Sequence, residues 1–298
     1  MGLLRLSSLS LFCQLAFLCA QGRVIAGRHW GSDEEQIMPN RVLLVKPKQA
    51  SLVAHSKVPI DPALNVFFTL DDLKAGKQMP IYFPSKLADP SKSSRLLTRE
   101  QSDSIPFSSA QLSHLLSFFS IPEGSPQAKA MEYTLMQCEL EPIEGETRFC
   151  TASLESMLDS AREVFGPKAQ FRVLTTTYLP NKKQNARDDP LQNYTILQAP
   201  KQIDETRVLG CHTMAYPYMV FYCHSQAKSE NRVYQISLGS GGGEDGGGER
   251  SVEAVAVCHM DTSLWDRDHV SFRVLGVEPG SSPVCHFFPP DNLVWVAP

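Results

Sequence analysis

The spacing of hydrophobic positions changes once along the chain. Between about residues 105 and 170 they recur at helical intervals, and beyond residue 170 they alternate or run together. Ser108 or Ser109 can cap a first helix, with Leu112, Leu115, Leu116 and Phe119 at i, i+3, i+4 and i+7. Ser125-Pro126 reads as N-cap and first turn of a second, with Ala128, Met131, Leu135 and Cys138 along one stripe. A third spans residues 151–165, carries Leu154, Met157, Leu158, Ala161 and Phe165 on one face, and stops at Gly166-Pro167. β-Branched and aromatic runs then predict strands at 171–178, 194–197, 219–222, 232–238, 252–257, 270–275 and 293–296. The pattern predicts an α+β fold, with a helical N-terminal half of the domain followed by a β-rich C-terminal half.

The flanks carry no such period. In the first twenty residues Arg5 is the lone charge, and residues 9–20 form an apolar run. A bilayer span needs roughly 20 residues, so this run reads as a secretory signal, with small residues Ala20 and Gly22 as cleavage positions. Residues 23–66 hold one aromatic, Trp30, and read as a flexible leader. The polar stretch 91–104 reads as a loop. Residues 239–248 hold seven Gly among ten, with Glu244 and Asp245, and read as a surface insertion between strands. No Lys-Ser/Thr follows those glycines, so they make no phosphate loop. The expected organisation is a signal peptide at 1–22, a leader at 23–66, and one globular domain at 67–298 that contains the insertion. No later stretch predicts a transmembrane segment.

Composition narrows the chemistry. The 298 residues carry 28 basic and 32 acidic side chains, a net charge of −4. Without a basic surplus, nucleic acid is not an expected partner. Removing the signal takes Cys13 and Cys19 and leaves six cysteines: Cys138, Cys150, Cys211, Cys223, Cys258 and Cys285. An even number in a secreted chain argues for disulfides over thiolate metal sites. Cys138 ends the second helix and Cys150 precedes the third, so a bridge there would staple the turn by about 3 kcal/mol. Asn193-Tyr194-Thr195 is a glycosylation sequon, which agrees with secretion.

Four of the eight His directly follow a Cys, at Cys211-His212, Cys223-His224, Cys258-His259 and Cys285-His286. On a strand, successive side chains face opposite sides. Each Cys would then lie in one layer, and the histidines would gather on another surface. Residues 211–224 read as a hairpin turning at Tyr216-Pro217, which brings Cys211 near Cys223; pairing of either with Cys258 or Cys285 stays open. Three chemistries compete. Disulfides with imidazoles free to bind copper or zinc is one. Zinc held by thiolates and imidazoles is another, although the usual C-x2-C and H-x3-H spacings are absent. Ordinary strand histidines are the third, and four matched positions favour metal binding over it.

The spacers between pairs are ten, thirty-three and twenty-five residues, and Trp295 follows after eight more. This resembles the BURP domain of plant secreted proteins, whose C-terminal signature is four spaced Cys-His pairs and a Trp. Phe67-Phe68, Asp72-Leu73, Gly76 and Tyr82-Phe83-Pro84 are similar to its opening motif. Cys138-Glu139, Cys150 and Ser153-Leu154-Glu155 are similar to its middle. The run from Cys258-His259-Met260-Asp261 through Trp265, and the segment 274–279, are similar to its end. The second spacer is longer than the family pattern, and the excess matches the Gly-rich insertion. The resemblance implies His212, His224, His259 and His286 as copper ligands, with largely disulfide-bonded cysteines. It also implies a copper-dependent oxidative cyclase joining a Tyr or Trp side chain to another atom of a short peptide. Copper takes one-electron steps and uses oxygen, which zinc cannot do. Self-modifying members keep the core peptide in the leader. This leader offers only Trp30 and no repeat, so the expected substrate is a peptide supplied in trans. The alternative is a non-catalytic extracellular or cell-wall-associated protein, with a wall component as partner, acting in development or stress response.

Other side chains have simpler readings. Tyr216, Tyr218 and Tyr222 read as packing rather than a substrate cleft. His269 reads as a satisfied histidine rather than a further ligand, and Trp295 as a core anchor. Asp261 is a weak candidate for orienting a ligand His. His29, His55 and His114 lie outside the signature.

Overall fold

Local capping chemistry places the helices, and cross-strand register places everything else. The computed structural model describes residues 62–83, 95–179, 190–226, 230–240 and 250–298. The expected signal peptide, the leader as far as residue 61 with Trp30, and the insertion from 241 to 248 lie outside the described residues.

In chain order the elements are β1 (Phe67–Phe68), β2 (Gln78–Tyr82), α1 (Arg99–Asp103), α2 (Leu112–Phe118), α3 (Pro126–Glu139), β3 (Glu146–Thr151) and α4 (Leu154–Phe165). Next come β4 (Arg172–Leu174), β5 (Thr177–Leu179), β6 (Leu191–Ile196), β7 (Lys201–Ile203), β8 (Arg207–Met214), β9 (Val220–Gln226), β10 (Asn231–Ser240) and β11 (Arg250–His259). α5 (Val270–Leu275), β12 (Val284–Phe288) and β13 (Leu293–Ala297) close the chain. The Ser125 side chain accepts from Ala128 N at the start of α3, and Ser153 accepts from Ser156 N at the start of α4. Ser108 caps the 3-10 turn that leads into α2.

The expected division into a helical half and a β half is wrong. The protein is mainly β, built from two antiparallel sheets that draw strands from the whole described chain. The larger sheet has the order β1-β12-β11-β10-β6-β2, with β5 added beside β11 and β7 beside β10. The smaller has the order β3-β9-β8-β13-β4. β1, β2 and β3 all arise from the part of the chain expected to be helical. Their signals were hidden by local composition. β1 is two residues long, and β2 contains Pro80, which an edge strand tolerates because it needs no further donor. The helices are real but short, and their apolar stripes pack on strands. Met157, Ala161 and Phe165 of α4 cover Leu209, Cys211, Phe221, Cys223 and Trp295 on one face of the smaller sheet. Burying a side chain such as Phe165 contributes about 1.5–3 kcal/mol. Leu115, Leu116, Met131 and Leu135 of α2 and α3 pack on Tyr216, Tyr218 and Val220 at the β8–β9 turn.

Two further strand expectations need correction. Residues 270–275 form α5, not a strand. The His269 side chain accepts from Ser271 N at its start, and Gly276 ends it at φ 67°, a left-handed conformation that glycine adopts freely. The stretch 171–178 is not one strand. Thr175 Oγ1 donates to the carbonyls of Pro290 and Asn292, and Thr176 Oγ1 donates to the Phe288 carbonyl and accepts from Val255 N. Those bonds turn the chain from β4 in the smaller sheet to β5 in the larger.

The sheets stack face to face. Val208, Val294, Val296 and Leu174 of the smaller meet Ile203, Val233, Val255, Val257 and Phe288 of the larger in one buried layer. The opposite face of the larger sheet holds Tyr194, Ile236, Leu238, Val252, Cys258, Cys285 and Phe287. That sheet curls until its ends approach: Tyr82 N donates to Asn65 O, and the Phe83 ring lies 5.8 Å from Phe287.

Candidate metal centre

Strand alternation decides where each Cys-His pair sends its two side chains. In the smaller sheet Cys211 stands directly opposite Cys223, and the two are bonded. In the larger sheet Cys258 stands opposite Cys285, and they are bonded as well. Cys138 bonds to Cys150 at the end of α3. The two cross-strand bridges lie on the sheet faces turned away from each other, within separate apolar clusters. The next residue in each strand points the other way, so all four histidines enter the layer between the sheets.

There they meet. His224 Nε2 lies 3.4 Å from His212 Nε2, and His259 Nε2 lies 3.4 Å from His286 Nε2. The rings of the two pairs face each other, with centroids 5.4 Å apart for His212 and His286 and 6.0 Å for His224 and His259. Gly210, opposite His224 in the β8–β9 register, leaves space for this arrangement. A side-chain carbon there would stand 3.0 Å from the Phe288 ring. Phe288 itself stacks on both His212 and His286, at 4.6 and 4.8 Å. Trp265 meets His259 edge-on at 4.9 Å and shields it from the other side.

Burial holds the cluster neutral. Loss of solvent pushes the His212 and His259 pKa values well below the ordinary imidazole value, and the neighbouring imidazoles add to the effect. For His286 burial is again the main cause, taking it to about 3, with His224 adding to the shift. His224 is lowered by burial and partly restored by the Glu146 carboxylate, while Arg148 opposes that restoration. His269, behind Trp265, is lowered by burial to about 4.

These shifts give a pH prediction for the metal-free protein. The unfolded chain binds protons at His286 and His269 below about pH 6.5, whereas the folded chain does so only near 3 and 4. Stability therefore rises with pH across that window and is lost as pH falls through it, by about 1.4 kcal/mol per unit for each such group. Urea midpoints measured from pH 7.5 to 4.5 after chelation should hold down to about pH 6.5 and fall below it. A flat profile would show that the imidazoles are not buried as described.

The sequence did not reveal the polar side chains around the cluster. Asn231 Oδ1 lies 2.8 Å from His259 Nδ1, and Asn292 Nδ2 lies 3.2 Å from His212 Nδ1. Glu146 Oε1 is 3.6 Å from His224 Nδ1, and its other oxygen accepts from Arg148 at 2.6 Å. Asn231 stands opposite His259 in the β10–β11 register, a signal that appears only once the strands are aligned across the insertion. Of the secondary candidates, Tyr222 lies beside His224 at 5.6 Å, with burial raising its pKa to about 12. Tyr216 and Tyr218 pack against Phe119, away from the imidazoles. Asp261 is exposed and accepts from Ser263 N. Trp295 packs on Phe171 in the core beneath α4. Asn193 is exposed on β6, and His114 is exposed on α2.

The donor set suits a transition metal. Four neutral imidazoles match copper or zinc, and with all six cysteines of the domain in disulfides the thiolate zinc site has no ligands. A metal–nitrogen bond of about 2.0–2.1 Å puts tetrahedral ligand atoms about 3.3–3.4 Å apart, which matches the spacing within each Nε2 pair. Among the described residues no three His, Cys, Asp or Glu side chains are yet drawn around one point, so the two pairs must close together to share an ion. A cavity of about 10 Å³ lies beside His224 and His259, lined also by Asn231, Gly210 and Phe288. Its neighbour, a surface pocket of about 110 Å³, is lined by Ile143, Glu144, Gly145, Asp261, Leu264 and Trp265. Gln226 borders both, and its Oε1 is buried without a hydrogen-bond partner.

Known proteins are similar to this chain in sequence. The family described as BURP domain matches residues 66–297. A BURP domain-containing protein of Brassica napus, BNM2A, is 49% identical over 237 residues, covering 80% of this chain and 81% of that protein. The BURP domain protein USPL1 of Arabidopsis thaliana is 45% identical over 259 residues, covering 86% and 89%. BURP domain-containing protein 5 of rice (Oryza sativa subsp. japonica) is 37% identical, covering 84% and 72%. Among the described residues no helix is long and apolar enough to cross a membrane.

Proposed function

The chain belongs to the BURP domain family, and from that premise we propose that its imidazole cluster binds copper in a secreted oxidative peptide cyclase. The observation that carries this reading is the convergence of His212, His224, His259 and His286 between the two sheets, with all six cysteines of the domain in disulfides. Disulfides at these positions are compatible with an oxidising compartment. The substrate is a short peptide carrying a Tyr or Trp, supplied in trans.

Copper, when bound, supplies one-electron oxidation and the use of oxygen. The protein's own residues supply the surroundings. Phe288 and Trp265 exclude water from the imidazoles. Asn231, Asn292 and Glu146 hold the ring nitrogens in register from behind. The pocket beside Trp265 and Gln226 gives a side chain a route toward the cluster. The net reaction joins an aromatic side chain to another carbon or nitrogen of the peptide. Two protons and two electrons leave the peptide, and dioxygen accepts them to become hydrogen peroxide.

Incubating copper-loaded protein with Tyr- and Trp-containing peptides under air should give a product lighter by two hydrogens. That product should disappear under argon. Protein with confirmed copper that gives no such product across a peptide library would contradict the cyclase reading. It would favour a second one, a non-catalytic extracellular or wall-associated protein. The observation behind that second reading is the leader, whose single aromatic is Trp30.

A further inference from the structure

The surface pocket beside Trp265 lies between two short turns, each fixed by its own hydrogen bonds. On one side Glu146 N donates to Ile143 O and Ile143 N donates to Glu146 Oε2, with Gly145 between them at φ 79°. On the other, Trp265 N donates to Thr262 O and Ser263 N donates to Asp261 Oδ1. His259 at 4.9 Å and His269 at 4.7 Å back the Trp265 ring, so that ring is a fixed wall. Ile143 and Leu264 extend the apolar lining. Leu264 is 65% exposed, the most of any large apolar side chain among the described residues. A ligand that covers it recovers the cost of that apolar area in water.

Gln226 closes the inner end. It is the last residue of β9, stands opposite Glu146 in the β3–β9 register, and borders both this pocket of about 110 Å³ and the void of about 10 Å³ beside His224 and His259. That void is about one water in size, so a side chain entering from the surface stops at Gln226. The Gln226 Oε1 is buried with no protein hydrogen-bond partner. A buried acceptor left unpaired is costly, and a donor that reaches it recovers that cost. The terminal torsion of a glutamine amide is soft, so the oxygen turns toward the pocket without disturbing the strand.

We propose that this pocket selects a peptide side chain that is aromatic and carries its own donor, a phenol or an indole. The ring lies against Trp265, and its O–H or N–H donates to Gln226 Oε1. This rests on the peptide-substrate reading above and adds the residues that choose the side chain. A phenylalanine ring fills the same space but leaves the acceptor unpaired, and a site built around a buried polar group discriminates against an analogue lacking the partner. Glu144 and Asp261 place carboxylates in the lining, so a cationic side chain is the rival occupant; Asp261 already accepts from Ser263 N.

The test is a titration of the metal-free full chain with blocked Gly-Xaa-Gly peptides in which Xaa is Tyr, Trp, Phe or Lys. NMR follows the Gln226 side-chain amide and the Trp265 indole N–H. The Tyr and Trp peptides should shift both signals and bind about tenfold more tightly than the Phe peptide, the worth of one hydrogen bond to an acceptor already stripped of water. Gln226→Leu should bring the Tyr peptide down to the Phe level, whereas Trp265→Leu should weaken all three aromatic peptides together. Equal affinity for the Tyr and Phe peptides, a Lys peptide that binds as tightly as either, or no shift at Gln226 and Trp265 with any peptide would overturn the proposal. The wild-type comparison decides this even if a variant fails to fold. Failure of the copper reading looks different: no copper would bind to any form, while these titrations, made without metal, would still report the pocket's choice.

Discussion

Replacing Cys258 and Cys285 together with alanine is expected to destabilise the protein by about 3–4 kcal/mol and to lower its yield sharply. The bridge closes a segment with a sequence separation of 27. That segment contains α5 and its flanking turns, which the unfolded chain must otherwise order. In the chain-entropy account a loop of this length gives slightly more stabilisation than the bridges at Cys211–Cys223 and Cys138–Cys150, each with a separation of 12. It also fixes the β11–β12 register, which places His259 and His286 on the same face. A one-residue slip of either strand would turn that strand's imidazole into the outer apolar cluster. Denaturant unfolding of the double variant should show a lower midpoint and a steeper slope, because the unfolded chain is no longer held compact by the bridge. A variant of wild-type stability would show that the bridge does not set this register.

His259→Ala is expected to weaken copper binding by about a hundredfold or more while leaving the metal-free protein folded. The imidazole is buried, its Nδ1 is held by Asn231, and its Nε2 faces His286 at 3.4 Å. Groups that merely orient a metal ligand already change affinity by about 10–100-fold when removed, so loss of a ligand belongs at or above the top of that range. Far-ultraviolet circular dichroism of the apo variant separates a lost ligand from a lost fold. Copper titration then gives the affinity. An unchanged dissociation constant in a folded variant would remove His259 from the metal site.

Much of the site was readable because alternation along a strand is local. Four Cys-His dipeptides are enough to place sulfurs and imidazoles on opposite faces once they lie on strands, and the structure has that arrangement. The Cys211–Cys223 hairpin was also visible, because its turn at Tyr216-Pro217 lies between the two cysteines. Cys258 and Cys285 were harder, since α5 separates their strands, and residues 270–275 alternate in a way that imitates a strand. The caps at His269 and Gly276 decide that segment, against its composition.

Fold class was misread for a different reason. α2, α3 and α4 announce themselves through serine caps and apolar stripes, and all three form. The strands that bind this region into the sheets announce very little: β1 has two residues, β2 includes Pro80, and β3 holds Arg148 and a disulfide-bonded Cys150. Their partners lie far along the chain, so their pairing is a tertiary fact. The same holds for Asn231, Asn292 and Glu146. Each meets an imidazole only after the sheets are paired and stacked, and no spacing in the sequence records that meeting.

The four Cys-His pairs are proposed to build one copper site between the two sheets. Metal content decides this, measured by mass spectrometry beside EPR on protein purified under native conditions without added metal. About one copper per chain with imidazole nitrogen coupling is expected, lost in His259→Ala. Protein that carries no copper, and takes up none when copper is supplied, would contradict it.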